Sequence, residues 1–162
     1  MSILEKKDRF EVKEESLTRA ELVRKASLSL TEIIKEKSLI ILPSHGTVDE
    51  FYAGSLDTLD YLNDNDVDAE IYSTDEDYKE LSLHGADIWL GTFFVSSIIL
   101  PILTNLISSY IYDKLKAQKE DGISLKLIIE RESGSTVSIS FDGKVEKLDK
   151  VFTAIKELEN EV

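Results

Sequence analysis

The chain has 162 residues, no cysteine and a formal net charge of −13. That length suits one domain, expected over 1–162, which buries a core without metal or disulfide, and the missing cysteine excludes thiolate ligands and cysteine nucleophiles. The acidity is concentrated: residues 38–87 hold thirteen acids against one base, Lys79, while 88–112 hold no charge at all. With no basic stripe to offset it, this surface argues against nucleic acid and anionic lipid, and it admits a basic protein partner or a plain solvated face.

Residues 1–15 are polar, with a brief alternation at Phe10 and Val12, and read as a flexible arm or a short edge strand. The first ten residues become charged at once and have no apolar core of the secretory kind, so a cytoplasmic location is expected. Thr18-Arg-Ala-Glu21 has capping-box spacing. After it Leu22, Val23, Ala26, Leu30, Ile33 and Ile34 fall on one stripe, which predicts an amphipathic helix ending near Lys37.

The apolar run from Leu39 to Leu42, closed by Pro43, predicts a buried strand. A loop over 44–49 leads into a weaker helix through Leu56, Leu59, Tyr61 and Leu62, stopped at Asn63-Asp-Asn-Asp66. Ala69, Ile71 and Tyr72 suggest a second strand, Asp75-Glu76-Asp77 a turn, and Leu81 with Leu83 a third strand.

From Ile88 to Tyr112 lie twenty-five uncharged residues. They predict one long central helix with a side of small polar residues (Thr92, Ser96, Ser97, Thr104, Asn105, Ser108 and Ser109) and a kink or break at Pro101. Such a helix serves as a core or assembly seam, and Trp89 at its start suits a helix whose end reaches the surface. The alternative is a transmembrane segment of a membrane-inserting effector or membrane-anchored protein. A true span would carry the acidic segment across the bilayer and isolate the remaining fifty residues, so the soluble reading is preferred.

Beyond it, Ile123, Leu125, Leu127 and Ile129 alternate with mostly polar residues, as do Val137, Ile139 and Phe141. This predicts a hairpin turning at Glu132-Ser-Gly-Ser135. A further turn at Asp142-Gly143 leads into a closing helix through Leu148, Val151, Phe152, Ile155 and Leu158. The fold expected is α+β: a small sheet packed against the long central apolar helix, with an N-terminal amphipathic helix and a C-terminal β-hairpin plus helix.

Little here points to chemistry. His45 precedes Asp49 by four residues and His84 precedes Asp87 by three, but no spacing supplies the further groups that a zinc or hydrolytic site needs. Asp64, Asp66 and Asp68 resemble the opening of a calcium loop, yet Ala69 stands where glycine is required and Asp75 where a bidentate glutamate is. A helix-ending acidic turn accounts for them better. No cofactor, metal or catalytic residue is expected.

Trp89-Leu90-Gly91 opening a small-residue-rich apolar helix, the hairpin from Leu125 to Phe141 with Gly134 at its centre, the Asp142-Gly143 turn and the closing helix to Leu158 carry a resemblance. Over this C-terminal half the chain resembles the effector-associated constant component family of bacterial conflict, or antiphage-type, systems. The resemblance implies a non-enzymatic adaptor or regulatory component beside an effector. The chain departs from that family in its acidic, elaborated N-terminal half and in lacking an arginine-rich end to the long helix. The expectation is therefore a protein-binding adaptor that self-associates or takes a protein partner. Its interaction residues would be Trp89, Ser96, Ser97, Thr104, Asn105 and Ser108 on the seam, with Asp75, Glu76 and Asp77 on the acidic 49–87 face.

Overall fold

A computed structural model describes residues 8–44, 47–81 and 87–159. The expected α+β class is found. In chain order the elements are β1 (Arg9–Glu15), α1 (Arg19–Lys25), α2 (Leu28–Ile34), β2 (Leu39–Leu42), β3 (Glu50–Tyr52), α3 (Ser55–Asp64), β4 (Ala69–Ile71) and β5 (Lys79–Leu81). They continue with β6 (Ile88–Ser96), α4 (Leu100–Ser109), β7 (Gly122–Glu130), β8 (Thr136–Lys144) and α5 (Asp149–Glu159). Six strands form one sheet in the order β1-β8-β7-β6-β2-β4, and β3 and β5 pair separately. In the larger sheet β2 with β4 and β6 with β7 are parallel pairs, each bridged by a helix, and the other neighbours are antiparallel; β3 and β5 are parallel.

The principal correction concerns residues 88–112. The single helix expected there is a strand followed by a helix: β6, a 3-10 turn at Ser97–Ile99, α4, and a π-helical turn at Tyr110–Lys114. The uncharged run has a simple cause. β6 lies inside the sheet and is buried from Leu90 to Val95, so neither alternating position there tolerates a charge, and its Ile, Trp, Thr, Phe and Val content is that of a strand. Phe93 and Val95 enter the core on one face, while Phe94 enters the core on the other. Pro101 sits in the first turn of α4, where its missing N–H costs nothing, so it marks a helix start and no kink. Among the described residues no helix is long and apolar enough to cross a membrane.

Two smaller corrections follow the same logic. The expected first helix is two, because Ser27 accepts a hydrogen bond from Leu30 N–H and opens a new N-terminus. Thr18 caps α1 by accepting from Glu21 N–H, as its spacing predicts. Asp142-Gly143 makes no turn; both lie within β8, paired to Ser124 and Ile123 of β7. Leu83, expected to extend the third strand, lies outside the described residues.

The sheet separates two cores. On one face α3, α4 and α5 bury Leu62, Leu103, Ile107, Val151 and Ile155 against Leu39, Phe93, Leu127 and Ile139. On the other, α1 and α2 bury Leu22, Leu30 and Ile34 against Ile40, Leu42, Phe94 and Ile128 only. The second face is thus half covered. Its remainder, over β1, β8 and the starts of β7 and β6, is left without a helix among the described residues.

Candidate functional site

The uncovered half-face forms a cleft of ≈ 350 Å³. Its floor follows from strand register. One row across the sheet runs Glu11, Ser140, Lys126, Thr92, and the next runs Arg9, Asp142, Ser124, Trp89. Side chains alternate in direction along each strand, so these residues share a face while Leu125, Leu127, Ile139 and Phe141 turn the other way into the core.

Trp89 reaches this face through a bulge. It opposes Ser124 of β7, yet Gly91 opposes Leu125, so Leu90 is one residue extra on β6. Without the bulge Trp89 would share the parity of Phe93 and point to the α4 side. Leu90 takes the buried position instead, and Trp89 stands half-buried at the cleft wall beside Tyr52, with ring centroids 5.4 Å apart. Gly91 adopts φ +136, a conformation suited to glycine at such an irregularity.

The charges on the cleft are mixed. Arg9, Lys13 and Lys126 face Glu11 and Asp142, and Ser124 Oγ donates to Asp142 Oδ1 at 3.0 Å. Lys13 pairs with Glu11 and Lys126 with Glu15, each at 3.7 Å. Burial works to raise the pKa of Glu15, but the Leu17 and Ser16 amides that donate to it, together with Lys126, hold it below the usual carboxylate range. The cleft therefore offers donors and acceptors of both signs beside an aromatic wall.

The residues singled out by the sequence are scattered over several surfaces. Trp89 alone is on the cleft. Ser96 caps the 3-10 turn by accepting from Ile98 N–H, and Ser97 is buried there. Thr104 and Ser108 are half-buried on the flank of α4, and Asn105 faces outward beside Ile102. No single stripe joins them, because the chain changes from strand to helix between Ser96 and Leu100. Asp75, Glu76 and Asp77 are exposed in the turn after β4, at the far edge of the sheet from β1. Asp77 accepts from Thr74 Oγ1 at 2.9 Å, which closes that turn.

His45 and His84 lie outside the described residues. Asp49 pairs with Lys79 at 2.9 Å. Asp64 ends α3, Asp66 takes φ 66 and Asp68 accepts from Lys37 at 2.8 Å, an acidic helix-ending turn. Among the described residues no group of three histidines or carboxylates is placed to hold a metal ion.

Arg9, Glu11, Lys13, Ser124, Lys126, Ser140 and Asp142 were not singled out from the sequence. Their signal was present in the polar positions that alternate with Leu125, Leu127, Ile139 and Phe141. Comparison with known protein families, with curated proteins and with solved structures finds no match for this chain.

Proposed function

We propose that the chain is a non-enzymatic protein-interaction module, an adaptor of the kind implied by the conflict-system resemblance, which docks a protein partner on the uncovered half of its sheet. The observation that carries this reading is the half-face itself. α1 and α2 stop over Ile40, Phe94 and Ile128, and the adjoining floor is concave, polar and walled by Tyr52 and Trp89. Aromatic anchors beside arginine and mixed hydrogen-bonding groups are the composition of protein interfaces. The exposed carboxylates of α3 and of the Asp75–Asp77 turn add a negative field that speeds encounter with a basic partner.

Affinity capture from the native host tests this with two variants. Trp89→Ala with Lys126→Glu removes the anchor and reverses a floor charge; charge reversal at Asp75, Glu76 and Asp77 alters only the remote turn. The expected result is a captured protein lost from the first variant and slowed, yet retained, with the second. A partner held equally by wild type and the first variant, with both folded, would overturn the docking surface.

A further inference from the structure

β1 ends the sheet. It pairs with β8 along all seven residues from Arg9 to Glu15, and no other strand adjoins it among the described residues. An end strand of this length carries a row of backbone donors and acceptors ready for another strand. Its sequence, Arg9-Phe10-Glu11-Val12-Lys13-Glu14-Glu15, has opposite charges at equal distances on either side of Val12.

We propose that two copies of this chain pair antiparallel through β1 about a two-fold axis at Val12, joining their two six-stranded sheets into one. In that register Glu11 of each copy stands opposite Lys13 of the other, and Arg9 opposite Glu15. All four residues lie on the cleft face of the sheet, where opposed side chains come within about 4.5–5.5 Å of one another. Glu11 and Lys13 are more than half exposed in the single copy, where they pair with each other at 3.7 Å, and each exchanges that contact for one across the seam. Glu15 keeps its bonds to the Ser16 and Leu17 amides and adds Arg9 of the second copy to them. On the opposite face Val12 meets itself, and Phe10 lies against the stem of Glu14. Val12 is 46% and Phe10 38% exposed in the single copy, which is apolar surface this pairing covers.

The charges also reject the neighbouring registers. Sliding one strand by two residues, the smallest slip that keeps the faces aligned, centres the pair on Glu11 or on Lys13. The first places Glu11 against Glu11 and Arg9 against Lys13; the second places Lys13 against Lys13 and Glu11 against Glu15. Like charges directly opposite are destabilising, so only the Val12-centred register satisfies the strand. The interface is isologous, as a two-fold dimer requires, and its charge pattern names a second copy as the occupant.

This pairing goes beyond the docking surface proposed above, and its readout is the mass of the purified chain, so either idea can fail without the other. Sedimentation of the wild type should show a monomer–dimer equilibrium. Glu11→Lys alone sets the introduced lysine against Lys13 of the other copy, and Lys13→Glu alone sets the introduced glutamate against Glu11. Each should weaken the dimer roughly tenfold or more, since two attractive pairs become repulsive. An equimolar mixture of the two variants restores every opposite pair and should form a heterodimer at wild-type concentration. A wild type that stays monomeric at millimolar concentration overturns the proposal. So does a dimer that both single variants retain, or a mixture that fails to recover dimer while both variants keep the wild-type circular dichroism.

Discussion

Arg19 Nε donates to both carboxylate oxygens of Glu130 at 3.1 Å, and Nη2 adds a bond to Oε1, which ties the start of α1 to the end of β7. The same guanidinium gives Nη1 to the Ile34 carbonyl and lies 5.4 Å from the Phe94 ring centroid. One side chain thus joins α1, α2, β6 and β7 where the second core begins. Both partners are less than a fifth exposed. Arg19→Met strands the Glu130 carboxylate in that partly dry setting and should cost about 2–3 kcal/mol in urea unfolding. Arg24→Met, which breaks the exposed pair with Glu21, should leave the midpoint unchanged. Equal losses in the two variants would remove the special standing of Arg19.

Gly91→Ala should cost about 1–3 kcal/mol, because alanine resists φ +136 and its Cβ would lie 3.2 Å from the Phe93 ring. The bulge that turns Trp89 into the cleft ends at this residue. Trp89 is the only tryptophan, so its emission reports the change directly. A shifted emission maximum is expected, and an unshifted one in a destabilised variant would mean that the bulge does not depend on Gly91.

How much of this could be read in advance depended on whether a segment had one buried face or two. β7 and β8 each have a polar face, so their alternation shows plainly in the sequence, and α5 shows its stripe for the same reason. β6 has no charged position and is buried from Leu90 to Val95, and such a strand running into a helix looks like one long helix. The break at Ser27 was hidden because Leu22, Leu30 and Ile34 keep helical spacing across it. The cleft was harder still. Arg9, Trp89 and Lys126 lie far apart in the chain and share the cleft only because β1 and β6 flank the hairpin, and no local pattern sets that strand order.

Thr104 shows how a polar residue in an apolar run can be structural surplus. Its Oγ1 is buried on the flank of α4 and has no hydrogen-bond partner. Leaving a hydroxyl unsatisfied costs more than replacing it with an apolar group of the same shape. Thr104→Val, which keeps the β-branch, should therefore be neutral or stabilise by up to about 1 kcal/mol. Thermal unfolding checks this. A loss of stability would mean that the hydroxyl is bonded in solution.

Glu15 gives the molecule a pH dependence whose sign can be worked out. Burial opposes its ionised form, but the Leu17 and Ser16 amides and Lys126 outweigh burial and lower its folded pKa. The unfolded chain binds that proton more readily, so the stabilisation is complete above the ordinary carboxylate pKa and is lost as pH falls through the folded value. Glu15→Gln removes the charge-assisted bonds at neutral pH and should cost about 1–2 kcal/mol there. The gap between variant and wild type should then narrow as pH drops below about 4, because wild-type Glu15 becomes protonated as well. Denaturant titrations of both proteins at neutral and acid pH measure that gap. A constant difference across the range would show that Glu15 contributes through packing alone, and that its charge does not anchor the end of β1.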